Sequence, residues 1–161
     1  MVKRKRRVLA SGTFDLLHLG HVRYLEEAKK AGGENAELIV VVSRDSTVER
    51  RKGRPPVIPE DQRRALVEAL KVVDRAVLGY EGMNVEKVIE RVQPDVIALG
   101  YDENELEREV RRVLEEKNLN IKVVRIRKFG RDELNSSSKI KRRVVELFEA
   151  EASLKRSPQP G

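Results

Sequence analysis

The two histidines of the chain, His18 and His21, lie three residues apart on either side of Gly20. If a helix begins here, this spacing puts both imidazoles on one face of its first turn. Two imidazoles on one face can donate hydrogen bonds to a single phosphoryl group, and the helix N-terminus itself attracts phosphate. The structural alternative is that one histidine caps the helix and the other packs. An exclusive pair around a glycine favours the phosphate-binding interpretation.

Glycines and serines elsewhere indicate the same chemistry. Gly12 permits a tight turn before the histidines, and Gly20 leaves room for a ligand at the helix N-terminus. Far along the chain, three serines follow one another at the predicted start of the last helix: Ser136, Ser137 and Ser138. One serine would be enough to cap that helix. Three of them supply hydroxyl and backbone donors to a second anion.

A basic segment, residues 44–59, separates two predicted elements and contains Lys52 and Arg54 ahead of two prolines. We interpret this segment as a loop whose cations close over phosphates as a lid. An ordinary solvated run of charge is the alternative. The formal net charge of +7 indicates anionic partners, but it does not distinguish phosphorylated metabolites from nucleic acid or an acidic surface.

Several function classes are excluded by composition. The chain contains no cysteine, so it has neither disulfides nor a thiol nucleophile. No apolar run approaches the roughly 20 residues that a membrane span needs, and the apolar part of the N-terminus is too short for a signal peptide. We therefore expect a cytoplasmic protein without a membrane partner.

Apolar segments with strand character alternate with helical patterns along the chain. Strands are predicted over residues 7–11, 36–43, 74–79, 95–100 and 121–126. Helices are predicted over residues 21–32, 60–70, 84–92, 105–118 and 136–149. This alternation predicts an α/β fold, a Rossmann-like, doubly wound five-stranded parallel sheet in a single domain of residues 1–150, with a frayed tail over residues 151–161. Ligands bind such sheets at the carboxyl ends of the strands, where the loop before the histidines lies.

The segment GTFDLLHLGH, residues 12–21, resembles the GTFD…HxGH signature of the nucleotidylyltransferase superfamily. The likeness continues through residues 44–79, through PDVIALGYD at residues 94–102, and to NSSSKIK at residues 135–141, where the superfamily has its serine- and threonine-rich motif. It covers nearly the whole chain, from residue 8 to residue 147. Within the superfamily the chain is most similar to the archaeal-type FAD synthases, which are FMN adenylyltransferases.

The resemblance implies transfer of AMP from ATP to FMN, giving FAD and pyrophosphate. A phosphomonoester acceptor is already ionised at neutral pH, so catalysis needs no general base and consists of positioning and electrostatic stabilisation. The resemblance gives catalytic roles to His18 and His21 at the α-phosphate, with Lys52 and Arg131 as cations, and assigns pyrophosphate to the serine run. The residues that it implies for nucleotide binding are Gly12, Thr13, Phe14, Asp15, His18, Gly20, His21, Gly100, Asp102, Phe129, Ser136, Ser137 and Ser138.

Four of these residues also have ordinary structural explanations. Asp15 either orients the first loop or helps to hold a metal, and Asp102 either contacts the nucleotide or caps a loop. Phe129 either approaches the adenine or packs after the last strand. Arg131 is either the arginine that the cytidylyltransferases carry before their serine motif or a plain surface residue. Magnesium is expected with ATP, held mainly by phosphate oxygens and water because no carboxylate pair indicates a dedicated metal site.

The acceptor leaves alternatives open. Residues 130–139 look more like a glycerol-3-phosphate cytidylyltransferase, and a flavin ring needs a broad apolar or aromatic surface that three Phe, three Tyr and no Trp do not display. A CTP-dependent enzyme acting on glycerol 3-phosphate is therefore the second hypothesis. The third is a basic nucleic-acid-binding module without activity, which the intact set of glycines, histidines and serines disfavours. From family likeness we also expect a homodimer.

Overall fold

The computed structural model describes residues 3–130 and 134–156. Five strands and six helices follow one another along this part of the chain. In order they are β1 (Arg7–Gly12), α1 (Leu19–Ala31), β2 (Glu37–Val42), α2 (Asp45–Lys52), α3 (Glu60–Glu68), β3 (Arg75–Leu78), α4 (Val85–Val92), β4 (Val96–Leu99), α5 (Asn104–Glu116), β5 (Lys122–Arg125) and α6 (Ser137–Arg156). In the part of the chain described, no helix is long and apolar enough to cross a membrane.

The five strands form one parallel sheet in the order β3-β2-β1-β4-β5. Strand β1 is central and pairs with β2 on one side and β4 on the other. Because the chain runs outward from β1 in both directions, the strand order reverses between β1 and β4, which is where ligands bind in doubly wound sheets. The predicted Rossmann-like, five-stranded parallel fold is confirmed.

Apolar side chains cover both faces of the sheet, as expected for parallel strands packed between two layers of helices. On one face Val8 and Ala10 of β1 join Leu25 of α1 in one core cluster. On the other face Leu9 joins a second cluster that includes Ile89 of α4 and Val110 of α5. The alternation of Val8, Leu9 and Ala10 between the two clusters follows from the two-residue period of a strand.

Two predicted boundaries were wrong. Within the segment interpreted as a basic loop, residues 45–52 form helix α2, and Gly53 ends this helix in the left-handed conformation at φ 70°. Only Thr47 and Val48 of α2 are buried, so the segment lacks the apolar periodicity that identifies a helix. The last helix continues to Arg156, into the predicted tail, because that stretch consists largely of good helix formers. Residues 157–161 lie outside the described part of the chain.

A buried arginine ties the loop after β1 to helices α2 and α3. The Arg63 side chain is fully buried. Its guanidinium donates hydrogen bonds to the carbonyl oxygens of Thr13 at 2.7 Å and Ile58 at 2.8 Å, and to the Asp45 carboxylate at 2.6 Å. A guanidinium out of water needs such partners. No sequence pattern indicates this role, since Arg63 stands beside an ordinary surface arginine, Arg64.

Replacing Arg63 with methionine should lower the free energy of unfolding by about 3–5 kcal/mol, because the Thr13 and Ile58 carbonyls and the Asp45 carboxylate lose their shared partner. The matched control is Arg64→Met on the same helix. Arg64 pairs with Glu68 in a partly exposed position, so its loss should cost about 1 kcal/mol or less. Urea denaturation of both variants measures the difference, and equal losses would contradict the role of Arg63.

Candidate active site

A groove of about 750 Å³ lies at the carboxyl ends of β1 and β4, beside the N-termini of α1 and α6. It brings together the predicted site residues that fall in the described part of the chain. These are Gly12, Thr13, Phe14, Asp15, His18, Gly20, His21, Lys52, Gly100, Asp102, Phe129, Ser136, Ser137 and Ser138. Arg131 lies outside the described residues, and the exposed Arg54 does not line the groove. Their chemical roles stay predictions.

The loop between β1 and α1 has an unusual backbone. Phe14 and Leu16 both adopt the left-handed region, at φ 55° and 53°. This conformation costs a residue with a side chain about 1–2 kcal/mol, and it persists only where the surroundings hold it. Here Arg63 holds the preceding carbonyl, that of Thr13, and the Phe14 ring is buried in the core. The loop is thus fixed before any ligand arrives.

Asp15 orients this loop. Its buried carboxylate accepts hydrogen bonds from the N–H groups of Val57 at 2.8 Å and Ile58 at 2.9 Å, and Lys141 lies 3.5 Å from it. Burial alone would raise the pKa of Asp15, but the two N–H groups and Lys141 outweigh it and hold the pKa below its usual range. Because these partners occupy the carboxylate, the structure favours the orienting role over metal binding.

The two histidine rings stack on each other at the start of α1, with centroids 3.8 Å apart and an angle of 24° between their planes. His18 occupies the N-cap position. Its backbone N–H donates to Nδ1 of His21 at 3.3 Å. In a neutral imidazole the nitrogen that does not accept carries the proton. His21 therefore presents an Nε2–H donor.

Both histidines are neutral at physiological pH. Burial lowers the pKa of His21 to about 3, and the nearby His18 and Lys52 add to this effect, which Asp15 opposes. Burial likewise lowers the pKa of His18. Neutral rings can donate hydrogen bonds to a phosphoryl group without first losing or gaining a proton. This state suits transition-state stabilisation rather than general acid–base catalysis.

Gly20 makes room for neighbouring atoms of the protein. A Cβ at this position would lie 2.9 Å from the His18 ring and 3.1 Å from the carbonyl oxygen of Asn135, just before the serine run. The absent side chain therefore allows α1 and the start of α6 to approach each other. Gly12 is constrained in the same way, since its Cβ would lie 3.0 Å from the Phe14 ring.

The three serines are not equivalent. Ser136 caps α6, with its hydroxyl accepting a hydrogen bond from the N–H of Lys139 at 3.2 Å. The Ser137 hydroxyl donates to the carbonyl oxygen of Asp15 and so fastens α6 to the first loop. Ser138 lines the groove and makes no side-chain hydrogen bond to another described residue. Its hydroxyl and the helix N-terminus are the donors that remain for an anion.

Cationic side chains also line the groove. Lys52 is the last residue of α2, and the groove is also lined by Arg51. Partial burial lowers the pKa of Lys52, and the neighbouring charges of Arg51 and Lys141 lower it further. A cation that is disfavoured by other cations gains from the arrival of a polyanion. The predicted role of Lys52 as a phosphate-binding cation therefore fits its surroundings, although it stands on a helix and not in a loop.

Two residues of the site were not predicted from the sequence. The Tyr24 hydroxyl, one turn beyond His21, donates to the carbonyl oxygen of Ala98 at 2.8 Å and ties α1 to β4. The Glu103 carboxylate accepts a hydrogen bond from the N–H of Gly100 at 3.1 Å. Burial raises the pKa of Glu103, although this hydrogen bond opposes the effect. Tyr24 could have been found from its i+3 spacing to His21, but nothing in the sequence separates Glu103 from its acidic neighbours.

An apolar pocket of about 80 Å³ opens into the groove between the sheet and helices α2, α4 and α5. Nine of its lining residues belong to the second core cluster or pack against it. The aliphatic residues that line it are Leu9, Val41, Val85, Val88, Ile89, Ile97, Leu99, Leu106 and Val110. The pocket and the groove share Ser11, Gly12, Arg51, Met83, Glu103 and Leu106. The apolar surface that the sequence did not display is therefore present.

Residues 9–143 match the family described as cytidylyltransferase-like, and this match takes in most of β1, both histidines and the serine run. The chain belongs to this family. The predicted membership of the nucleotidylyltransferase superfamily, and with it the predicted enzyme class, is confirmed.

Relatives in this family are named FAD synthases. One, from Thermoplasma volcanium, is 49% identical over 142 residues, which cover 88% of this chain and 96% of the relative. Another, from Methanopyrus kandleri, is 50% identical over 143 residues, covering 89% and 94%. These relatives confirm the predicted FAD synthase function and do not favour the glycerol-3-phosphate cytidylyltransferase.

Solved structures have the same architecture. A crystal structure from Thermoplasma volcanium, described as a lipopolysaccharide core biosynthesis protein, is 48% identical with a TM-score of 0.70 and covers 78% of this chain and 98% of that one. A pantoate-beta-alanine ligase from Francisella tularensis has a TM-score of 0.62 at 17% identity, covering 88% and 67%. The second likeness shows the fold alone.

The pKa of His21 predicts how stability depends on pH. His21 stays neutral in the folded chain down to a pH of about 3, whereas in the unfolded chain it takes up a proton near pH 6.5. The unfolded state therefore binds more protons between these values, and acidification destabilises the fold. From pH 7.5 to pH 5, the free energy of unfolding should fall by about 2 kcal/mol more for the wild type than for His21→Gln. Urea denaturation at both values tests this, and parallel pH dependences would contradict it.

Proposed function

We propose that the protein binds ATP in the groove and FMN across the groove and the apolar pocket, and that it transfers AMP from ATP to FMN. The observation that carries this proposal is the meeting of two unlike surfaces at Ser11 and Gly12, with phosphate-binding groups on one side and an aliphatic wall on the other. FMN has the same division, because it carries a phosphate at one end and a large planar ring at the other. The names of the relatives support the same substrates.

The reaction needs no proton transfer from the protein. An oxygen of the ionised FMN phosphate attacks the α-phosphorus of ATP, and a new P–O bond forms. The bond from the α-phosphorus to the oxygen that bridges to the β-phosphorus breaks, and its electrons leave with pyrophosphate. The products are FAD and pyrophosphate. Positioning and electrostatic stabilisation therefore supply the rate enhancement.

The groups around the groove divide between the two ends of this reaction. The Nε2–H of His21 and the ring of His18 serve the α-phosphate, where negative charge develops. Ser138, the N-terminus of α6 and Lys52 serve the departing pyrophosphate. The stacking of the two rings at 3.8 Å supports this assignment, because it keeps both imidazoles on one side of the groove.

The pocket does not accept a whole flavin ring in its present shape. Its volume is about 80 Å³, whereas a cavity of about 150 Å³ holds a single benzene. The shared mouth is bordered by the side chains of Met83 and Arg51, both of which are exposed and can move without disturbing the core. We therefore propose that the ring lies at this mouth with one edge inserted between the aliphatic residues.

Magnesium is proposed to enter with ATP. In residues 3–130 and 134–156, no group of three or more His, Asp or Glu side chains could hold a metal ion. The Asp15 carboxylate is occupied by its hydrogen bonds. The residues therefore fit a cation held mainly by phosphate oxygens and water, which screens the triphosphate charge. Asp102 and Glu103 line the groove, and their carboxylates are of the type that ligates such a cation.

The cytoplasmic location and the homodimer stay predictions. Helix α6 has no buried residue. Its exposed apolar side chains are Val144, Val145, Leu147, Phe148 and Leu154. Several exposed apolar side chains on a helix without buried residues are typical of protein–protein contact, which supports the proposed homodimer.

The function is tested by incubating the protein and magnesium with either ATP plus FMN or CTP plus glycerol 3-phosphate. We expect FAD and pyrophosphate in equal amounts from the first mixture and no nucleotide product from the second. The nine aliphatic side chains of the pocket favour burial of a ring edge over a glycerol chain, because they cannot pair with its hydroxyls. Chromatography of both products measures the outcome, and CDP-glycerol from the second mixture alone would overturn the choice of substrate.

His18→Ala and His21→Ala should each lower kcat by about 10²–10³, as expected when one donor to a transition-state phosphoryl group is lost. The melting temperature of each variant should stay close to that of the wild type, since both rings are only half-buried. Steady-state kinetics with FMN and ATP measure the effect. A variant that kept a near-normal kcat would remove that histidine from the mechanism.

A further inference from the structure

The hydroxyl of Thr47 is a buried polar group to which neither the fold nor the proposed reaction gives a role. Thr47 lies in α2, its side chain is nearly inaccessible to solvent, and it lines the apolar pocket. Its Oγ1 has no hydrogen-bond partner among the described residues. Buried hydroxyls are almost always paired, because an unpaired one loses its bonds to water and gains none in return. The group therefore costs stability in the free protein.

Thr47 lies in a pocket wall that combines aliphatic side chains with a cationic one. Most of the pocket wall is aliphatic, so the wall gives the hydroxyl few partners. One turn later on the same helix, Arg51 lines both the pocket and the groove. Residues four apart share a helix face. Helix α2 therefore places Thr47 in the pocket wall and a cation at the pocket mouth, in line with an acceptor that has a polar ring edge and a phosphate.

We propose that the Thr47 hydroxyl hydrogen-bonds the polar edge of the flavin ring and thereby determines acceptor specificity. This inference rests on the proposed function, because it assigns one contact within the proposed FMN site. The isoalloxazine ring is apolar along its dimethylbenzene edge and carries carbonyl oxygens, an N–H and ring nitrogens along the other. A hydroxyl both donates and accepts, so Thr47 can pair with either kind of group on that edge.

The contact would select among planar acceptors. An aliphatic slot accepts any flat apolar ring, and adding or removing a small apolar group changes binding little. A site with a buried polar group rejects ligands that leave this group unpaired, which gives larger discrimination. Thr47 would therefore favour a flavin ring over a flat hydrocarbon of similar size.

Thr47→Val tests the inference, because valine keeps the shape of threonine and replaces the hydroxyl with a methyl group. In the free protein the melting temperature should stay the same or rise, since an unpaired buried hydroxyl is removed. With substrates, KM for FMN should rise about 5- to 100-fold, which is the range for a lost hydrogen bond to a buried ligand group. KM for ATP should change less than about twofold, and Thr47→Ser should restore KM for FMN to near the wild-type value.

Two controls separate the ring contact from other effects. Ser46→Ala, on the same helix but outside the pocket lining, should leave both KM values unchanged. Ribitol 5-phosphate carries the side chain and phosphate of FMN without the ring, so its inhibition constant should be equal in the wild type and in Thr47→Val. A parallel rise in that constant would move the contact to the phosphate end and overturn the assignment.

The outcomes distinguish this inference from the function on which it rests. If the wild type forms FAD and Thr47→Val keeps KM for FMN within twofold, the role of Thr47 is wrong and the proposed function stands. Equal rises in KM for ATP and FMN would indicate distortion of α2 and would also overturn the role. If the wild type forms no FAD, the proposed function itself fails.

Discussion

The candidate site depends on hydrogen bonds to the backbone of the loop between β1 and α1. The Arg63 guanidinium binds the Thr13 carbonyl, and the Asp15 carboxylate binds the N–H groups of Val57 and Ile58. Between these anchors Phe14 holds a left-handed conformation that it would not adopt in isolation. Both anchors reach to the segment around α3, which is distant in sequence. The geometry of the phosphate groove is therefore set by the packing of the domain and is ready before substrate arrives.

The hydrogen-bond donors and cations of this groove are complementary to a polyanion. Burial lowers the pKa of both imidazoles and so favours their neutral form, while burial and the neighbouring positive charges lower the pKa of Lys52. In the proposed function, a triphosphate would relieve the repulsion among these cations and accept hydrogen bonds from the neutral rings at the same time. This binding would require no proton to move. That agrees with a reaction whose nucleophile is already ionised.

Patterns of residue type predicted the sheet and the location of the site, because strand alternation and the glycine–histidine spacing are local signals. These local signals do not predict contacts between residues that are distant in the sequence. Nothing local distinguishes Arg63 from Arg64, yet one is fully buried and the other lies at the surface. Helix α2 was not predicted from the sequence, because it buries only two side chains. Similarly, the serine run lines the groove, but its division into a helix cap, a contact to the first loop and a hydroxyl without a partner among the described residues depends on the position of that loop.

The apolar pocket illustrates why the acceptor was the hardest feature to predict. Its wall consists of core residues such as Leu9, Ile89 and Val110, each of which the sequence explains fully as packing. A ring edge inserted there extends the existing core, and each apolar area that it buries contributes about 25 cal/mol per Å². A small acceptor rich in hydroxyls would bury less apolar area there, and the aliphatic side chains would not pair with its hydroxyls. Part of the selection against small polar acceptors is therefore a consequence of how the sheet and helices α4 and α5 pack, in addition to the contact proposed for Thr47.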